Sequence, residues 1–252
     1  MIDLSGKVVL VTGGSRGIGA ATVRKVVQTG GKAIIHYGSN AAAATALREE
    51  LGRDRVHLCQ ADLLKVADTE RLWDNAVAWH SRINVLVNNA GVYEKCPLHL
   101  SLEQWLAGWE RTMRINLLSA AQLCRRAVQH FREMGGGILI NVSSRAGHRG
   151  DSIDHLQYGA SKAGMLALNR SIARNCAKDN ILAYGVAPGF VHTDMVQSVI
   201  EEHGLEKMSA LYPTGRVTTP EEVASVIVFL ASGIAPQTTG NTVDLCGAAD
   251  VR

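Results

Sequence analysis

Cysteine is scarce and unpatterned in this chain. The five residues, Cys59, Cys96, Cys124, Cys176 and Cys246, are scattered, odd in number and include no C-x-x-C pair. That argues against a disulfide framework or a zinc site and fits a reducing, cytoplasmic setting. None of the nine histidines shows metal-ligand spacing, so no metal is expected. The amino-terminal residues carry Asp3 early and have no long apolar core, unlike a signal peptide. The longest apolar run near the end, 223–231, is broken by Ser225 and is too short to span a bilayer, so no membrane partner is expected. No basic block appears and the net charge is only +3, so nucleic acid is not an expected partner. No linker, repeat or low-complexity segment interrupts the chain. One further absence proves informative: there is no Asp or Glu between Leu4 and Arg48.

What is there is a globular composition, with 46% hydrophobic and 19% charged residues over 252 positions. The stretch Thr12-Gly13-Gly14-Ser15-Arg16-Gly17-Ile18-Gly19 organises the rest. Before it, 7–11 reads as a buried parallel strand. After it, Ile18, Ala21, Thr22, Val23, Val26 and Val27 recur at helical spacing. A strand–glycine turn–helix unit aims unpaired N–H groups and the positive end of a helix dipole at one spot, which suits a phosphate. Gly13 permits the sharp turn, Gly17 the approach of a pyrophosphate, and Gly19 close packing of the helix.

Strands are then expected at 32–37, 56–59, 83–87, 138–142, 181–187 and 242–245. Helices are expected at 41–51, 66–79, 101–134, 155–178 and from 219 to 233. Ser101 with Gln104 forms a capping box, and Thr219-Pro220-Glu221-Glu222 is a second helix start. Strands alternating with helices predict an α/β fold: one Rossmann-type doubly wound domain over 1–252, with about seven parallel strands and helices on both faces.

The acid-free stretch bears on the ligand. A carboxylate about 20 residues beyond the glycine turn would accept from the ribose hydroxyls of NAD. Here that region is His36-Tyr37-Gly38-Ser39-Asn40. Arginine and serine suit a 2′-phosphate, so NADP(H) is expected, with Arg16 and Ser39 or Asn40 as its phosphate partners. The catalytic signal is Tyr158-Gly159-Ala160-Ser161-Lys162. Residues i and i+4 share a helix face, so a phenol and an ammonium lie side by side. The cation is expected to favour the phenolate and lower the tyrosine pKa, helped by an oxidised nicotinamide. Asn141-Val142-Ser143-Ser144 ends the preceding strand, where a serine can polarise a carbonyl oxygen. Cys96 lacks an activating base and reads as a spectator thiol. His148, His155 and His192 are placed near the entrance.

Taken together, the glycine spacing with Thr12, Asn88-Asn89-Ala90-Gly91 after the fourth strand, Asn116, Ser144, Tyr158, Lys162 and Pro188-Gly189 resemble the short-chain dehydrogenase/reductase family, in particular its ketoacyl-reductase-like branch. The resemblance covers nearly the whole chain. It implies a catalytic set of Ser144 (chosen over Ser143), Tyr158, Lys162 and Asn116, the last opening a helix kink that supports a proton-relay water. It implies cofactor contacts at Thr12, Gly13, Ser15, Arg16, Gly17, Ile18, Gly19, Tyr37, Ser39, Asn40, Asp62, Leu63, Asn89, Ala90, Gly91, Tyr158, Lys162, Pro188, Gly189, Val191 and Thr193. Asp62 would meet the adenine, with a helix cap as the alternative. Thr193 and the Val191 backbone would meet the nicotinamide carboxamide.

The expected reaction is hydride transfer between NADP(H) and a carbonyl or secondary alcohol, first a 3-oxoacyl thioester, alternatively a sugar, small ketone or other secondary alcohol. A non-catalytic NADP(H) sensor is the reading from another class. The segment 189–213 is expected over the substrate, and the 101–134 and catalytic helices are expected to pair subunits in a homotetramer or homodimer. The family often ends in a Val-Asp-Gly-Gly-like stretch, whereas this chain reads Val243-Asp244-Leu245-Cys246-Gly247-Ala248.

Overall fold

A computed structural model describes residues 2–193 and 204–250. The strands are β1 (Val8–Val11), β2 (Lys32–Tyr37), β3 (Val56–Gln60), β4 (Val85–Asn88), β5 (Gly137–Val142), β6 (Ile181–Pro188) and β7 (Thr242–Leu245). They form a seven-stranded sheet in the order β3-β2-β1-β4-β5-β6-β7. Every pairing is parallel. Both faces are covered, and β1 shows why the strands read as continuous apolar runs. Val9 and Val11 enter one layer while Val8 and Leu10 enter the other.

The first layer is closed by α1 (Gly17–Gln28), α2 (Ala41–Leu51) and the helix Pro220–Ser232, through Val23, Val26, Leu47, Val223 and Ile227. The second is closed by α3 (Val66–His80), by α5 (Ser119–Glu133), which follows α4 (Leu102–Met113), and by α7 (Leu156–Cys176), through Leu72, Trp73, Leu123, Phe131 and Ala173. Each large side chain so buried contributes about 1.5–3 kcal/mol. The chain winds outward from β1 to β3, then returns to the other side of β1 with β4. That reversal leaves a crevice outside the carboxyl ends of β1 and β4, where open α/β sheets bind ligands.

Local signals act as read. Ser101 and Gln104 form a reciprocal capping box, as do Thr219 and Glu222. Gly233 ends its helix in the left-handed region at φ +74°. The helix expected over 101–134 is divided where the resemblance implied a kink, at Asn116. It is three pieces: α4, a π-helical turn at Arg114–Leu118, and α5. The wider turn carries the buried Asn116 side chain out of helical register towards Val92. The helix expected over 155–178 is also shorter, because single 3₁₀ turns, Ile153–His155 and Ala177–Asp179, flank α7. The short helix α6 (Ala146–Arg149) lies between β5 and α7. No helix among the described residues is long and apolar enough to cross a membrane. All five cysteines are free and buried.

Candidate active site

The crevice is a cleft of about 1060 Å³ that runs across the carboxyl ends of the central strands. Its floor is the glycine turn. Gly13 and Gly17 sit at φ +61° and +52°, a region that disfavours side chains. A Cβ on Gly13 would stand 3.0 Å from the Ala90 Cα, and one on Gly17 would stand 3.1 Å from the Thr193 Cγ2. A Cβ on Gly19 would overlap the Gly13 carbonyl oxygen. Gly19 therefore lets α1 close on the turn itself, one layer behind the cleft wall.

Thr12 is also a layer back. It is 2% exposed, and its Oγ1 accepts from the backbone N–H groups of Asn89 and Ala90 at 2.9 and 3.0 Å. Asn89 answers by donating Nδ2 to the carbonyls of Thr12 and Gly13 at 2.9 and 3.2 Å. The two motifs are thus laced together, and Asn89, Ala90 and Gly91 form the adjoining wall. Below them, the Asn116 carboxamide donates to the Val92 carbonyl at 3.0 Å and to Ser161 Oγ at 3.2 Å, and accepts from the Val92 N–H at 2.8 Å. It is fully buried and does not face the cleft directly.

Ser144, Tyr158 and Lys162 line the same cleft. The two neighbouring serines divide clearly. Ser143 Oγ donates to the Lys162 carbonyl at 2.8 Å, tying β5 to α7. Ser144 Oγ accepts from the Ala146 N–H at 3.1 Å and interacts with the Tyr158 hydroxyl. Lys162 Nζ donates to the Val142 carbonyl at 2.9 Å and lies 5.7 Å from the Tyr158 ring centre. Burial lowers the lysine pKa to about 8. In the chain alone the Tyr158 phenol is displaced in the opposite direction from the lowering expected with lysine and oxidised nicotinamide together. Burial pushes the Tyr158 phenol up to about 12, opposed by Ser144 and reinforced by the Asp151 carboxylate. Desolvation of the phenolate outweighs the Ser144 hydrogen bond.

On one side of the cleft, Arg16, Tyr37, Ser39, Asn40, Asp62 and Leu63 all line the wall, with Ser15 and Ile18 nearer the turn. The Asn40 carboxamide oxygen is already used, capping α2 by accepting from the Ala43 N–H at 3.1 Å. Asp62 accepts from the Leu64 N–H at 3.0 Å. It does not cap α3, whose first flanking residue is Lys65. Among the described lining residues, Asp62 is the one acid.

At the other end, Pro188, Gly189, Val191 and Thr193 complete the wall. The unusual carboxy-terminal stretch supports them. The Leu245 carbonyl accepts from the Gly189 N–H at 2.9 Å and from Thr218 Oγ1 at 3.0 Å. Arg145 lies 5.0 and 5.3 Å from the ring centres of Phe190 and Tyr212, and Asp250 is 3.7 Å from both Arg145 and Arg149. Of the segment expected over the substrate, Asp194, Met195, Val199, Glu201 and His203 lie outside the described residues.

His148, His155 and His192 are not among the residues that line the cleft. His148 is 3.4 Å from Asp244, His192 is exposed, and His155 stacks on Tyr93 with ring centres 4.0 Å apart. Sequence reasoning missed Tyr93, whose ring meets Tyr158 edge-on at 4.7 Å and whose hydroxyl donates to Asp151 at 3.3 Å. An aromatic two residues beyond Asn-Asn-Ala-Gly was the available signal. Cys96 is buried, with Sγ directed at the Trp105 carbonyl and its pKa raised by burial.

A doubly wound sheet with a glycine turn at its switch point, and a buried Tyr–Lys pair beside it, is the architecture of the Rossmann-type α/β class. Residues 7–204 match the short chain dehydrogenase family. The chain is 33% identical over 249 residues to the 3-oxoacyl-[acyl-carrier-protein] reductase of Aquifex aeolicus, covering 98% of each chain. It is 34% identical over 246 residues to the acetoacetyl-CoA reductase of Rhizobium meliloti, covering 96% of this chain and 97% of that one. It is 36% identical over 237 residues to the cis-4-hydroxycyclohexanecarboxylate dehydrogenase of Sinomonas cyclohexanicum, covering 93% and 92%. The protein belongs to the short-chain dehydrogenase family and is an oxidoreductase of the CH–OH/C=O pair.

Proposed function

We propose that the protein, as one domain, is an NADPH-dependent reductase of 3-oxoacyl thioesters. The observation that carries this reading is the convergence of Ser144, Tyr158 and Lys162 on one wall of a cleft that begins at the glycine turn. The cleft fits a dinucleotide, since the turn is a cradle that side chains on Gly13 or Gly17 would crowd. Arg16 and Ser39 would hold the 2′-phosphate, with Tyr37 beside them. Asp62 and Leu63 would hold the adenine. Asn89, Ala90, Gly91, Pro188, Gly189, Val191 and Thr193 would hold the nicotinamide half. When bound, that cofactor supplies the hydride.

The chain's own residues supply the proton. Tyr158 gives it to the substrate oxygen, which Ser144 orients. Lys162 holds the nicotinamide ribose and faces the phenol as charge develops there. Asn116 anchors the proton relay, since its carboxamide fixes the Val92 segment beside the opened helix.

Two relatives carry names of thioester reductases, which supports a thioester-linked substrate. The cyclohexanecarboxylate dehydrogenase supports a second reading, a secondary-alcohol dehydrogenase. Leu102, Leu106 and Leu118 remain 71, 44 and 49% exposed on α4 and the π-helical turn, which supports pairing of subunits in a homodimer or homotetramer. Initial rates with an acetoacetyl thioester and NADPH, beside NADH, test the reading. Turnover with NADPH well above NADH is expected, and a preference for NADH would overturn the cofactor assignment. Tyr158→Phe should abolish turnover and keep cofactor binding, whereas a sensor would show no turnover in either protein.

A further inference from the structure

The glycine turn rests on a buried histidine that the proposed chemistry does not use. His36 lies near the end of β2, is 3% exposed and touches the cleft wall from below. Both ring nitrogens are engaged. Nδ1 accepts from the Gly13 N–H at 3.1 Å, and Nε2 lies 3.2 Å from the Ala61 carbonyl oxygen. A backbone N–H can only donate and a carbonyl can only accept. The two partners therefore fix one neutral tautomer, protonated on Nε2. The His36 carbonyl also accepts from the Gly14 N–H at 2.9 Å.

These contacts decide which donors the turn offers. The N–H groups of Gly13 and Gly14 are satisfied from beneath by His36. The donors left to face an anion are those at the start of α1, which have no intrahelical partner. With φ at +61°, Gly13 turns its N–H into the protein. An apolar side chain beneath it would leave that group buried and unsatisfied. The other contact, Ala61, immediately precedes Asp62. One imidazole thus spans from the turn assigned to the pyrophosphate to the strand end assigned to the adenine.

Building on the dinucleotide reading above, we propose that His36 is a positioning residue for the cofactor. It sets the spacing between the Gly13 turn and the Ala61–Asp62 wall, and so acts on dinucleotide affinity without touching the reacting atoms. A serine or alanine here would leave both partners unmet. Asparagine presents an acceptor and a donor on one planar group and can replace part of the span.

The test compares wild type, His36→Phe and His36→Asn. Fluorescence titration gives the NADPH dissociation constant, and kcat is read at saturating NADPH. Wild type should bind NADPH. His36→Phe should weaken binding about tenfold or more, with kcat at saturation within about twofold of wild type. His36→Asn should recover part of the affinity. Unchanged affinity in His36→Phe would overturn the positioning role, as would a loss of kcat equal to the loss of affinity with no recovery in His36→Asn. If His36→Phe does not fold, the asparagine variant decides alone: a weaker dissociation constant at unchanged kcat is expected, and wild-type affinity overturns the role. Wild type that binds neither NADPH nor NADH would instead sink the dinucleotide reading.

Discussion

Replacing Gly19 by alanine sets two known effects against each other. Alanine is the better helix former by about 1 kcal/mol in a helix interior, and somewhat less in a first turn such as this one. On propensity alone the variant would be more stable. The structure opposes this. The new Cβ would overlap the Gly13 carbonyl oxygen and stand 2.8 Å from Asn89 Nδ2 and 2.9 Å from the Gly13 carbonyl carbon. None of these is the free end of a flexible side chain. Asn89 is held by two carbonyls, and Gly13 is held by His36. Overpacking against such neighbours costs about 1–3 kcal/mol. Loss of the 3.2 Å bond from Asn89 to the Gly13 carbonyl adds about 1 kcal/mol. The net expectation is a loss of about 2 kcal/mol, or about 4–8 °C in melting temperature for a chain of this size. Gly38→Ala is the control. Nothing lies within 4 Å of a Cβ there, so a gain of about 0.5 kcal/mol is expected from the stiffer unfolded chain. Urea denaturation at one protein concentration measures both. Equal or greater stability in Gly19→Ala would refute the packing argument.

Ser144→Ala should lower kcat by about a hundredfold with little change in melting temperature, because it removes a carbonyl-polarising group. Ser143→Ala should instead lower stability by about 1 kcal/mol and leave the chemistry nearly intact, because its hydroxyl joins β5 to α7. A kcat loss confined to Ser143→Ala would reverse the assignment. His36 makes stability pH-dependent. Burial, opposed by the Ala61 carbonyl, lowers its pKa from 6.5 to about 4. The unfolded chain therefore takes up the proton first, and stability falls as the pH drops through 6.5 towards 4. From about pH 7.5 to about pH 5 this amounts to about 2 kcal/mol. A folded His36→Asn variant should lack that part of the slope, and parallel wild-type and variant curves would contradict it.

Much of the fold was legible because its signals are local. The glycine turn, both capping boxes and the Gly233 stop act within a few residues of themselves. What escaped depends on partners far along the chain. The kink at Asn116 was expected from the resemblance, but not the partners, Val92 and Ser161, that hold its side chain there. His36 reads as the end of a strand until Gly13 and Ala61 close around it. Asn88 donates to Asn141 at 2.9 Å across neighbouring strands, a contact set by sheet order and invisible to periodicity. The departure at Leu245-Cys246-Gly247 reads as an anomaly. In the fold it delivers the Leu245 carbonyl to Gly189 and Thr218 and brings Asp250 to Arg145 and Arg149.

The Tyr158–Lys162 spacing was legible, but its electrostatic outcome was not. Spacing shows that the charges are close; it does not show how much water is lost around them. Burial holds the phenol at about 12 and the ammonium at about 8. At neutral pH the chain alone therefore keeps Tyr158 protonated and Lys162 charged, the state a proton donor needs for reduction. The cation has little effect on a neutral phenol. It attracts the phenolate as the proton leaves, so its contribution appears along the reaction and not in the resting state. The pH dependence follows with a definite sign. The reduction rate at saturating NADPH should fall as pH rises through about 8, where Lys162 loses its charge, even though Tyr158 still carries its proton. Steady-state kcat measured across that range tests this. A rate that stays flat until the phenol itself ionises would show that the lysine charge is not what assists the transfer.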